Sequence, residues 1–568
     1  MFAAKYVKRI RLMCMAVLLC AGIWGHKAQV DAAQPAAYDY VVTDAEDKVD
    51  PTDLKSDTKG IQKTLDKAIG SSGMVTIYFP AGDYYVDKPL WVYSNTHIIL
   101  DDKATVHRMD SMINKGLLHN VDQNGKMDVI GGYNMSENII LEGGTWDGGN
   151  IKLATDASDV IRFDHARNIT IKDCTIKNVY DCHIIELVGV QNGLISNCTL
   201  SGFRYKKGHE KDYTYAREAI QLESAWTNDE SAKGRENAAW AKGSVIDGTS
   251  CRQVTVTNNT FIDLPCGVGQ HHYTSSGKYR NVDITISNNV FKCSSKMKYC
   301  KTAITCCGTN NLNVINNTVK GPYRFSIHVI ASNGVVIRKN QIADVTMNGI
   351  MVDKGEITAI QENTLKNIGK HGISVGGGTV KDISKNTITK VKQNGICVDD
   401  GKITSITGNT IKDVKKHGIS IAGATNKKTS GGTVKNITKN TINKAKQNGI
   451  CVDAGKVTNM NENIIKNVSK HGISAVGGTI GTGKSRSKGI QNNTISNCKQ
   501  NGISVSQKAK VSSIGGNKIT NVKNNGISLT GKAKVYWVVN NKIKKCKKHG
   551  IWSEVKTAKI KGNKGKTK

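Results

Sequence analysis

In the second half of the chain, an asparagine begins a triplet similar to Asn-Thr-Ile about every two dozen residues. Seven of the nine intervals between these marker asparagines are 23 or 24 residues, and the other two are 31 and 30. A period of this length is typical of repeat proteins in which each unit stacks on the next. The marker asparagines are Asn317, Asn340, Asn363, Asn386, Asn409, Asn440, Asn463, Asn493, Asn517 and Asn541.

Each repeat contains short apolar alternations, such as Ile419 and Ile421, that are separated by Gly and Asn. Alternation with period two predicts strands, and Gly and Asn tolerate the left-handed backbone angles of turns. A repeat that winds once and pairs with its neighbours forms a parallel β-helix with coils about 4.8 Å apart. We therefore predict an all-β solenoid in which the marker asparagines form a ladder. The amphipathic segment from Asp57 to Gly70 predicts a short helix that covers the first coil.

Two nearly identical segments of this repeat place Cys397 and Cys451 two residues before an aspartate. The same repeat position holds Ser, Met or Trp in other coils, so we interpret both cysteines as scaffold and not as nucleophiles. His371, His417 and His471 recur in every second coil, which separates neighbouring histidines by roughly 10 Å. Zinc–nitrogen bonds are about 2 Å long. We therefore predict a surface ladder of histidines and no shared metal site.

The N-terminus has the order of a secretory signal. Basic residues from Lys5 to Arg11 precede an apolar run from Leu12 to Trp24, and small residues follow. This order predicts a signal peptide and a secreted or cell-surface protein. The predicted divisions are a signal peptide at 1–32, a linker at 33–56, a β-helix with long loops at 57–340, regular basic repeats at 341–556 and a Lys-rich tail at 557–568.

The formal net charge of +34 lies almost wholly in the second half of the chain. From Ala331 onward there are 43 Lys and Arg against 11 Asp and Glu, with only three of the 31 aromatic residues. Such a surface suits an anionic cell-wall polymer or an acidic polysaccharide, or it is merely a solvated basic surface. Nucleic acid is disfavoured as a partner, because the arginines and aromatic rings that recognise bases are scarce there.

The segments VTIYFPAGDYYV (Val75 to Val86) and EGGTWDGG (Glu142 to Gly149) resemble secreted right-handed β-helix carbohydrate-active proteins. This superfamily includes polygalacturonases, pectate lyases and phage tailspikes, and the resemblance covers residues 57–340. It implies a single-stranded right-handed parallel β-helix and a polysaccharide ligand. A Ca²⁺ ion is common in lyases of the family, but no ligand set for it can be assigned here.

The usual catalytic signatures of that superfamily do not occur in this sequence in order. They are the polygalacturonase set of Asn-Thr-Asp, Asp-Asp, Gly-His-Gly and Arg-Ile-Lys, and the lyase pattern Arg-x-Pro-x-x-Arg. Because one fold hosts many activities, any site must be argued from its own residues.

A different polar cluster is predicted from three strand-like segments at 181–187, 217–223 and 267–272. We expect Ile185, Ile220, Val268 and Ile304 to occupy corresponding positions on successive coils. Alternation then sends the polar residues beside them outward on one face, within about 5–10 Å of one another.

This cluster contains the candidate catalytic residues Glu186, Glu223 and His271. Paired carboxylates at such separations suit glycoside hydrolysis, whereas histidine with glutamate suits uronate elimination. We predict Glu223 as acid or base, Glu186 as its carboxylate partner and His271 as a proton carrier or substrate ligand.

Long loops surround the same cluster, because the steps between its corresponding positions are 35, 48 and 36 residues instead of 23. Binding residues concentrate on long loops that a rigid scaffold holds in place. The predicted substrate-binding residues are His183, Glu218, Gln221, His272, Arg204, Lys206, Lys207, Trp226 and Trp240.

The expectation from the sequence is an exported β-helix protein that acts on polysaccharide as a glycoside hydrolase or a polyuronate lyase. The alternative is a non-catalytic surface adhesin or a glycan-binding or cell-wall-binding repeat protein that uses the same loops to grip its ligand. Detection of cleavage products discriminates between the two.

Overall fold

The computed structural model describes residues 38–112, 116–121, 130–150, 152, 154, 157–211, 217–225, 245–270, 279–294, 299–423, 431–555 and 558–565. Met1–Tyr38 and Asp39–Lys568 are two units, and the second holds all the described strands. Each strand pairs in parallel with strands one coil before and after it, as Ile396–Val398 does with Ile373–Val375 and Ile419–Ala422. The predicted all-β parallel solenoid is therefore confirmed, whereas the predicted signal peptide lies outside the described residues.

Each coil supplies strands to three faces, named here in chain order from the ladder asparagine. Face A contains Gly82–Val86, Thr175–Tyr180, Thr199–Arg204, Thr260–Ile262, Val290–Lys292, Thr318–Lys320, Gln341–Ala343, Thr364–Ile368, Thr387–Val391, Thr410–Val414, Thr441–Ala445, Ile464–Val468, Thr494–Cys498, Lys518–Val522 and Lys542–Cys546. Face B contains Leu90–Trp91, Leu118–His119, Ile161–Asp164, Ile185–Val188, Ile220–Glu223, Cys266–Gly269, Thr302–Cys307, Ile373–Val375, Ile396–Val398, Ile419–Ala422, Ile450–Asp453, Ile473–Val476, Ile503–Ser506, Ile527–Leu529 and Ile551–Ser553.

Face C contains Tyr40–Val41, Val75–Phe79, Ala166–Lys172, Gln191–Ser196, Arg252–Thr257, Asn281–Ser287, Thr309–Ile315, Thr379–Ser384, Lys402–Thr407, Thr433–Thr438, Lys456–Asn461, Thr479–Ile480, Gly489–Gln491, Lys510–Gly515, Lys534–Val539 and Lys559–Lys561. Four long strands continue around a corner: Thr96–Arg108 and Ser136–Asp147 serve faces C and A, and Phe325–Arg338 and Asn348–Gln361 serve faces B and C. Inward side chains on all faces form one apolar core that extends from Val42 to Ile551.

A ladder of buried asparagines joins the coils at the corner between faces C and A. Asn386, for example, donates from Nδ2 to Asn409 Oδ1 at 2.9 Å and to the carbonyl of Ile360 at 2.8 Å. Its own Oδ1 accepts the backbone N–H of Asn363 at 3.0 Å. Each amide thus satisfies backbone groups that the turn would otherwise bury without partners. The ladder also includes Asn259, Asn289 and Asn563, which the sequence period did not identify.

From Asn340 to Asn541, each ladder asparagine is followed nine residues later by a glycine, which is explained by close approach between coils. A Cβ on Gly395 would lie 2.5 Å from Ile411 Cγ2 and 2.7 Å from the carbonyl of Gly418. Any larger residue would separate the stacked coils at this position, so the repeat needs glycine here.

The N-terminal end of the stack is closed by a helix, as predicted. The α-helix Thr58–Leu65 is followed by the 3₁₀ turn Asp66–Ala68, and another 3₁₀ turn spans Val42–Asp44. Gln62 accepts from the backbone N–H of Trp91 at 2.8 Å and donates to its carbonyl at 3.1 Å. A side chain therefore replaces the missing neighbour of the first strand on face B, which protects an exposed sheet edge.

A second ladder, in which Asn and His alternate from Asn348 to Asn501, follows the corner between faces A and B. Asn394 Oδ1 accepts the backbone N–H of His417 at 3.0 Å, and His417 Nδ1 accepts the backbone N–H of Asn448 at 3.3 Å. Burial lowers the pKa of His371, His417 and His471 to about 4. The predicted histidine ladder exists, but its rings are buried or half-buried acceptors between coils and do not lie on the surface.

The cysteines of the repeats are buried thiols. Burial raises the pKa of Cys397 to about 12 and that of Cys451 to about 11, so both remain protonated, as scaffold residues should. Cys293 and Cys300 form a disulfide, the one found in the described residues. Within the same residues, no helix is both long and apolar enough to cross a membrane.

Truncation of one ladder asparagine should destabilise the stack strongly. In Asn386→Ala, the backbone N–H of Asn363 and the carbonyl of Ile360 lose a buried partner, which costs about 1–3 kcal/mol for each group. Denaturant unfolding and hydrogen exchange at the Asn363 amide measure the effect. Asn436→Ala is the matched control, because the side chain of Asn436 is half-exposed on the outer side of face C. Equal destabilisation by the two variants would contradict the ladder's role.

The second ladder predicts loss of stability in acid. In the folded chain the three histidines have pKa values of about 4, below the ordinary value of about 6.5 that applies when unfolded. Their contribution to the free energy of unfolding is complete above pH 6.5. It is lost as pH falls from 6.5 to about 4, because in this range the unfolded chain gains protons and the folded chain does not. Replacing all three by Asn, the residue of the alternate coils, should flatten the dependence of the unfolding midpoint on pH in this window. An unchanged slope would show that other groups cause the acid sensitivity.

Candidate binding site

The predicted register of the candidate site is confirmed by the strand pairing on face B. Ile185 lies opposite Ile220, Ile220 opposite Val268, and Val268 opposite Ile304. All four point inward, so the residues beside them point outward and form columns along the stack.

One outward column on face B runs from the candidate site into the regular repeats. In it, Arg162 lies opposite Glu186, and Glu186 lies opposite Gln221. Further along, the same column contains the scaffold cysteines Cys397 and Cys451. Its members in order are Trp91, His119, Arg162, Glu186, Gln221, Gly269, Thr305, His328, Met351, Ser374, Cys397, Ser420, Cys451, Ser474, Ser504, Ser528 and Trp552.

The Asn/His ladder likewise continues toward the N-terminus as a column of other residue types. Cys266 lies opposite Thr302, Thr302 opposite Phe325, and Phe325 opposite Asn348, the first ladder asparagine of that corner. Asp159 accepts the backbone N–H of His183 at 3.2 Å. This is the contact that Asn348 makes to His371 at 3.1 Å in the regular repeats. Asp159 is therefore a ladder residue whose amide is replaced by a carboxylate.

Arg162 is the centre of a buried ion network that sequence reasoning missed. Its Nε and Nη2 donate to the two carboxylate oxygens of Asp164 at 2.7 and 2.8 Å. Its Nη1 donates to Glu186 Oε2 at 2.9 Å and lies 3.8 Å from Asp159 Oδ2. All four side chains are at least nine-tenths buried. The signal was present in the sequence, because Ile161 precedes Ile185 by 24 residues, the length of one coil.

The buried surroundings of Arg162 shift the pKa values of Asp159 and Glu186 in opposite directions. Burial raises the pKa of Glu186 well above its ordinary range, and the charge of Arg162 offsets this only in part. Burial also favours the neutral form of Asp159, but the hydrogen bond from Glu186 and the charges of His183 and Arg162 outweigh it. The pKa of Asp159 is therefore lowered to about 2.

Glu223 lies near Glu186 but not in its column. It is opposite Val188, two residues along the strand and one coil away from Glu186. Its Oε2 accepts Nε2 of Gln221 at 2.6 Å, and its Oε1 accepts the backbone N–H of Ser224 at 3.2 Å. Glu223 and Gln221 are both buried. The structure thus brings Glu186, Gln221 and Glu223 together, and gives each carboxylate a partner within the protein.

The remaining predicted ligand residues divide into three groups. His183 and Glu218 are buried and bound to each other, since His183 Nδ1 lies 2.7 Å from the carbonyl oxygen of Glu218. Arg204 packs over the ring of Tyr180 at 4.2 Å and donates to the carbonyl of Ala154, whereas Lys206 and Lys207 are exposed. The predicted residues His271, His272, Trp226 and Trp240 lie outside the described residues.

The carboxylates of this site do not suit a cation. The guanidinium of Arg162 already occupies the place among them where a bound Ca²⁺ would lie, and its positive charge repels a second cation. Within the described residues, no group of three or more His, Cys, Asp or Glu side chains is arranged to hold a metal ion.

Two family models match parts of the chain. The model described as "Rhamnogalacturonase A/epimerase, pectate lyase-like" matches residues 45–290, and the model described as "Right handed beta helix region" matches residues 325–485. Together they establish a right-handed coil and cover both the candidate site and part of the regular repeats.

One curated relative is the plasmin and fibronectin-binding protein A of Streptococcus pneumoniae, 26% identical over 262 residues. The match covers 42% of this chain and 34% of the relative, so this chain spans about a third of that protein's length. A solved structure of the S. pneumoniae surface protein and adhesin PfbA is 17% identical, with 92% of this chain and 99% of that chain covered and a TM-score of 0.41. The catalytic unit of a GH87 α-1,3-glucanase from Streptomyces thermodiastaticus is 14% identical, with 94% and 70% covered and a TM-score of 0.30.

Loss of Arg162 should unfold the coils around this site. Arg162→Met leaves the carboxylates of Asp164, Glu186 and Asp159 buried without their cation, which costs about 3–5 kcal/mol. Arg338→Met is the control, since the Arg338–Glu362 pair is partly exposed and should contribute only about 0–1 kcal/mol. Denaturant unfolding of the full chain measures both, and equal shifts of the midpoint would contradict a structural role for the Arg162 network.

Proposed function

We propose that this chain, a right-handed β-helix protein of the pectate lyase-like superfamily, is a non-catalytic adhesin on the cell surface that binds polysaccharide. The observation that carries the proposal is the internal neutralisation of the candidate site. Arg162 binds Asp164 and Glu186, and Glu223 accepts a hydrogen bond from Gln221.

This arrangement supports binding over hydrolysis because glycosidases need two carboxyl groups that face the scissile bond. Those groups are about 5–5.5 Å apart in retaining enzymes and about 6.5–9.5 Å apart in inverting enzymes, with the substrate between them. Here the candidate carboxyl groups of Glu186 and Glu223 are buried and are bound by Arg162 and Gln221 instead. A buried ion network of this kind is costly to open, so it holds the coils in register beneath the loops.

Binding is also the property named for the pneumococcal relative. Its name refers to plasmin and fibronectin, and its match to this chain includes only part of each protein. We place the ligand contact of this chain on the long loops beside face B, where the exposed Lys206 and Lys207 are available to carboxylates of an acidic polysaccharide. Host proteins are the competing class of ligand.

A second candidate function, cleavage of polysaccharide, is favoured by one observation. The pKa of Glu186 is raised and that of Asp159 is lowered, and opposite shifts in neighbouring groups are typical of a general acid and its base. The sequence-based roles of Glu223 as acid or base, Glu186 as its partner and His271 as proton carrier belong to this candidate.

A glycan panel separates the two functions. The mature protein should bind at least one pectic or other glycan without producing new reducing ends, the product of hydrolysis, or absorbance from unsaturated uronate, the product of elimination. Any product that Glu186→Gln or Glu223→Gln abolishes would overturn the adhesin proposal and support catalysis. Binding of fibronectin or plasmin with no glycan bound would show that the ligand is a host protein and not a polysaccharide.

The loop contact predicts a local effect of charge. The double variant Lys206→Gln, Lys207→Gln should weaken binding to the selected glycan several-fold, because two exposed ammonium groups are lost beside the proposed contact. The control is Lys402→Gln, Lys456→Gln, which removes the same charge from exposed positions on face C. Equal affinities of the two variants would exclude these loop lysines from the site.

A further inference from the structure

The corner between faces A and B carries an uninterrupted row of lysines in the regular repeats. Two corner positions lie between the face A strand and the Asn/His ladder, and at least one of them is Lys in every coil from Thr364 to Trp552. We call this row the lysine edge. Its members are Lys370, Lys392, Lys415, Lys416, Lys446, Lys470, Lys499, Lys523, Lys547 and Lys548.

Backbone hydrogen bonds hold the lysine edge in strict register. Lys415 donates its N–H to the carbonyl of Val391 at 2.9 Å, and Lys446 donates to that of Val414 at 3.0 Å. Lys499 and Lys523 repeat the same contact in later coils, each at 3.0 Å. Successive corners are therefore roughly 4.8 Å apart, and the side chains start from a straight and rigid line.

The charges of the lysine edge are available to a ligand. Nine of its ten members are exposed, and Lys370 is half-exposed. Among the described residues, the ion pairs of this region, Lys439–Glu462 and Lys444–Asp413, involve none of these lysines. Like charges in direct register repel each other, so an anionic ligand would relieve a repulsion that the fold maintains.

Amide side chains alternate with lysines in the second corner position. Gln393 lies one coil after Lys370, and its backbone N–H donates to the carbonyl of Lys370 at 2.9 Å. Gln447 lies one coil after Lys416 and makes the same contact at 3.1 Å. Gln500 follows Lys470 in the same way. Ammonium groups pair with carboxylates, while amides both donate to and accept from hydroxyl groups. A chain of uronic acid residues presents these two groups side by side along its length.

The surroundings of the lysine edge disfavour other anions. Asp344 and Asp413 lie on face A, and Asp353, Asp399 and Asp453 lie at the far end of the face B strands. Face A also carries exposed lysines, such as Lys390, Lys412 and Lys466, whereas the carboxylates at the end of the face B strands would repel a broad anionic surface such as a membrane. Stacking of bases would need aromatic platforms along the row, which its Lys, Gln and Asn residues do not supply.

From these contacts we infer that the lysine edge binds a linear polyuronate, which lies along the solenoid axis with its carboxylates on the lysines and its hydroxyl groups on the interleaved amides. This site is distinct from the loops beside the Arg162 network, and it stands whether or not those loops bind a ligand.

The test compares two quadruple variants of the full mature chain for binding to polygalacturonate by calorimetry at several NaCl concentrations. The edge variant is Lys392→Gln, Lys415→Gln, Lys446→Gln, Lys499→Gln. The control removes four exposed lysines from face C, as Lys402→Gln, Lys456→Gln, Lys510→Gln, Lys534→Gln. Both variants have the same net charge, and circular dichroism verifies that both retain the fold.

The edge variant should lose at least tenfold in affinity and show a shallower dependence of affinity on salt, because fewer counter-ions are exchanged. The control should remain within about twofold of the parent, since diffuse charge at a distance is screened within a Debye length of about 8–10 Å. Equal losses in both variants, or no loss in the edge variant, would overturn the proposal.

Further ligands identify the chemistry that is recognised. Methyl-esterified polygalacturonate, which lacks the charge, should bind far more weakly than the acid form. Tighter binding of single-stranded DNA or of phosphatidylserine vesicles than of polygalacturonate would overturn the assignment to polyuronate. Loss of polygalacturonate binding in Lys206→Gln, Lys207→Gln but not in the edge variant would move the site to the loops, which leaves the adhesin proposal intact and this one refuted.

Discussion

The structure depends on the in-register stacking of its coils, and the buried asparagine ladder enforces that register. Each ladder amide accepts a backbone N–H from one neighbouring coil and donates to the next amide, as Asn386 does between Asn363 and Asn409. A slip of one residue would bury these groups without partners and would turn the apolar side chains of each strand outward. The energetic penalty for a slip is therefore paid at every coil, which keeps the columns straight.

Straight columns allow one scaffold to carry different chemistry along its length. The outward column on face B holds Arg162 and Glu186 near the N-terminus and buried Ser and Cys residues further along. The neighbouring ladder column holds Asp159 where the regular repeats hold Asn or His. The strands pair in parallel register in both regions, so the regions differ in their side chains and in the loops inserted between the coils.

The charged residues of the N-terminal coils and those of the regular repeats lie in opposite environments. In the N-terminal coils the charges of Arg162, Asp164 and Glu186 are buried and bind one another, so they stabilise local structure and offer little to a ligand. In the regular repeats the lysines of the edge are exposed and in register. They repel one another, and a bound polyanion would reduce this repulsion. The proposed binding of a polymer needs a stack that does not unfold and a surface that is not neutralised, and the two regions provide these properties separately.

The sequence by itself determined the period, the parallel coil, the capping helix and the ladder from Asn317 to Asn541, because each of these follows from spacing and local alternation. It also determined the register of Ile185, Ile220 and Val268. It did not reveal Asn259 and Asn289 as ladder residues, since long loops interrupt the period around them. Only the tertiary structure decided that Arg162 binds Glu186. It also decided that Glu186 shares a column with Cys397. Whether a charge is free or neutralised depends on which residues the neighbouring coils place within a few ångströms of it, and that proximity is a property of the stack that no single coil encodes.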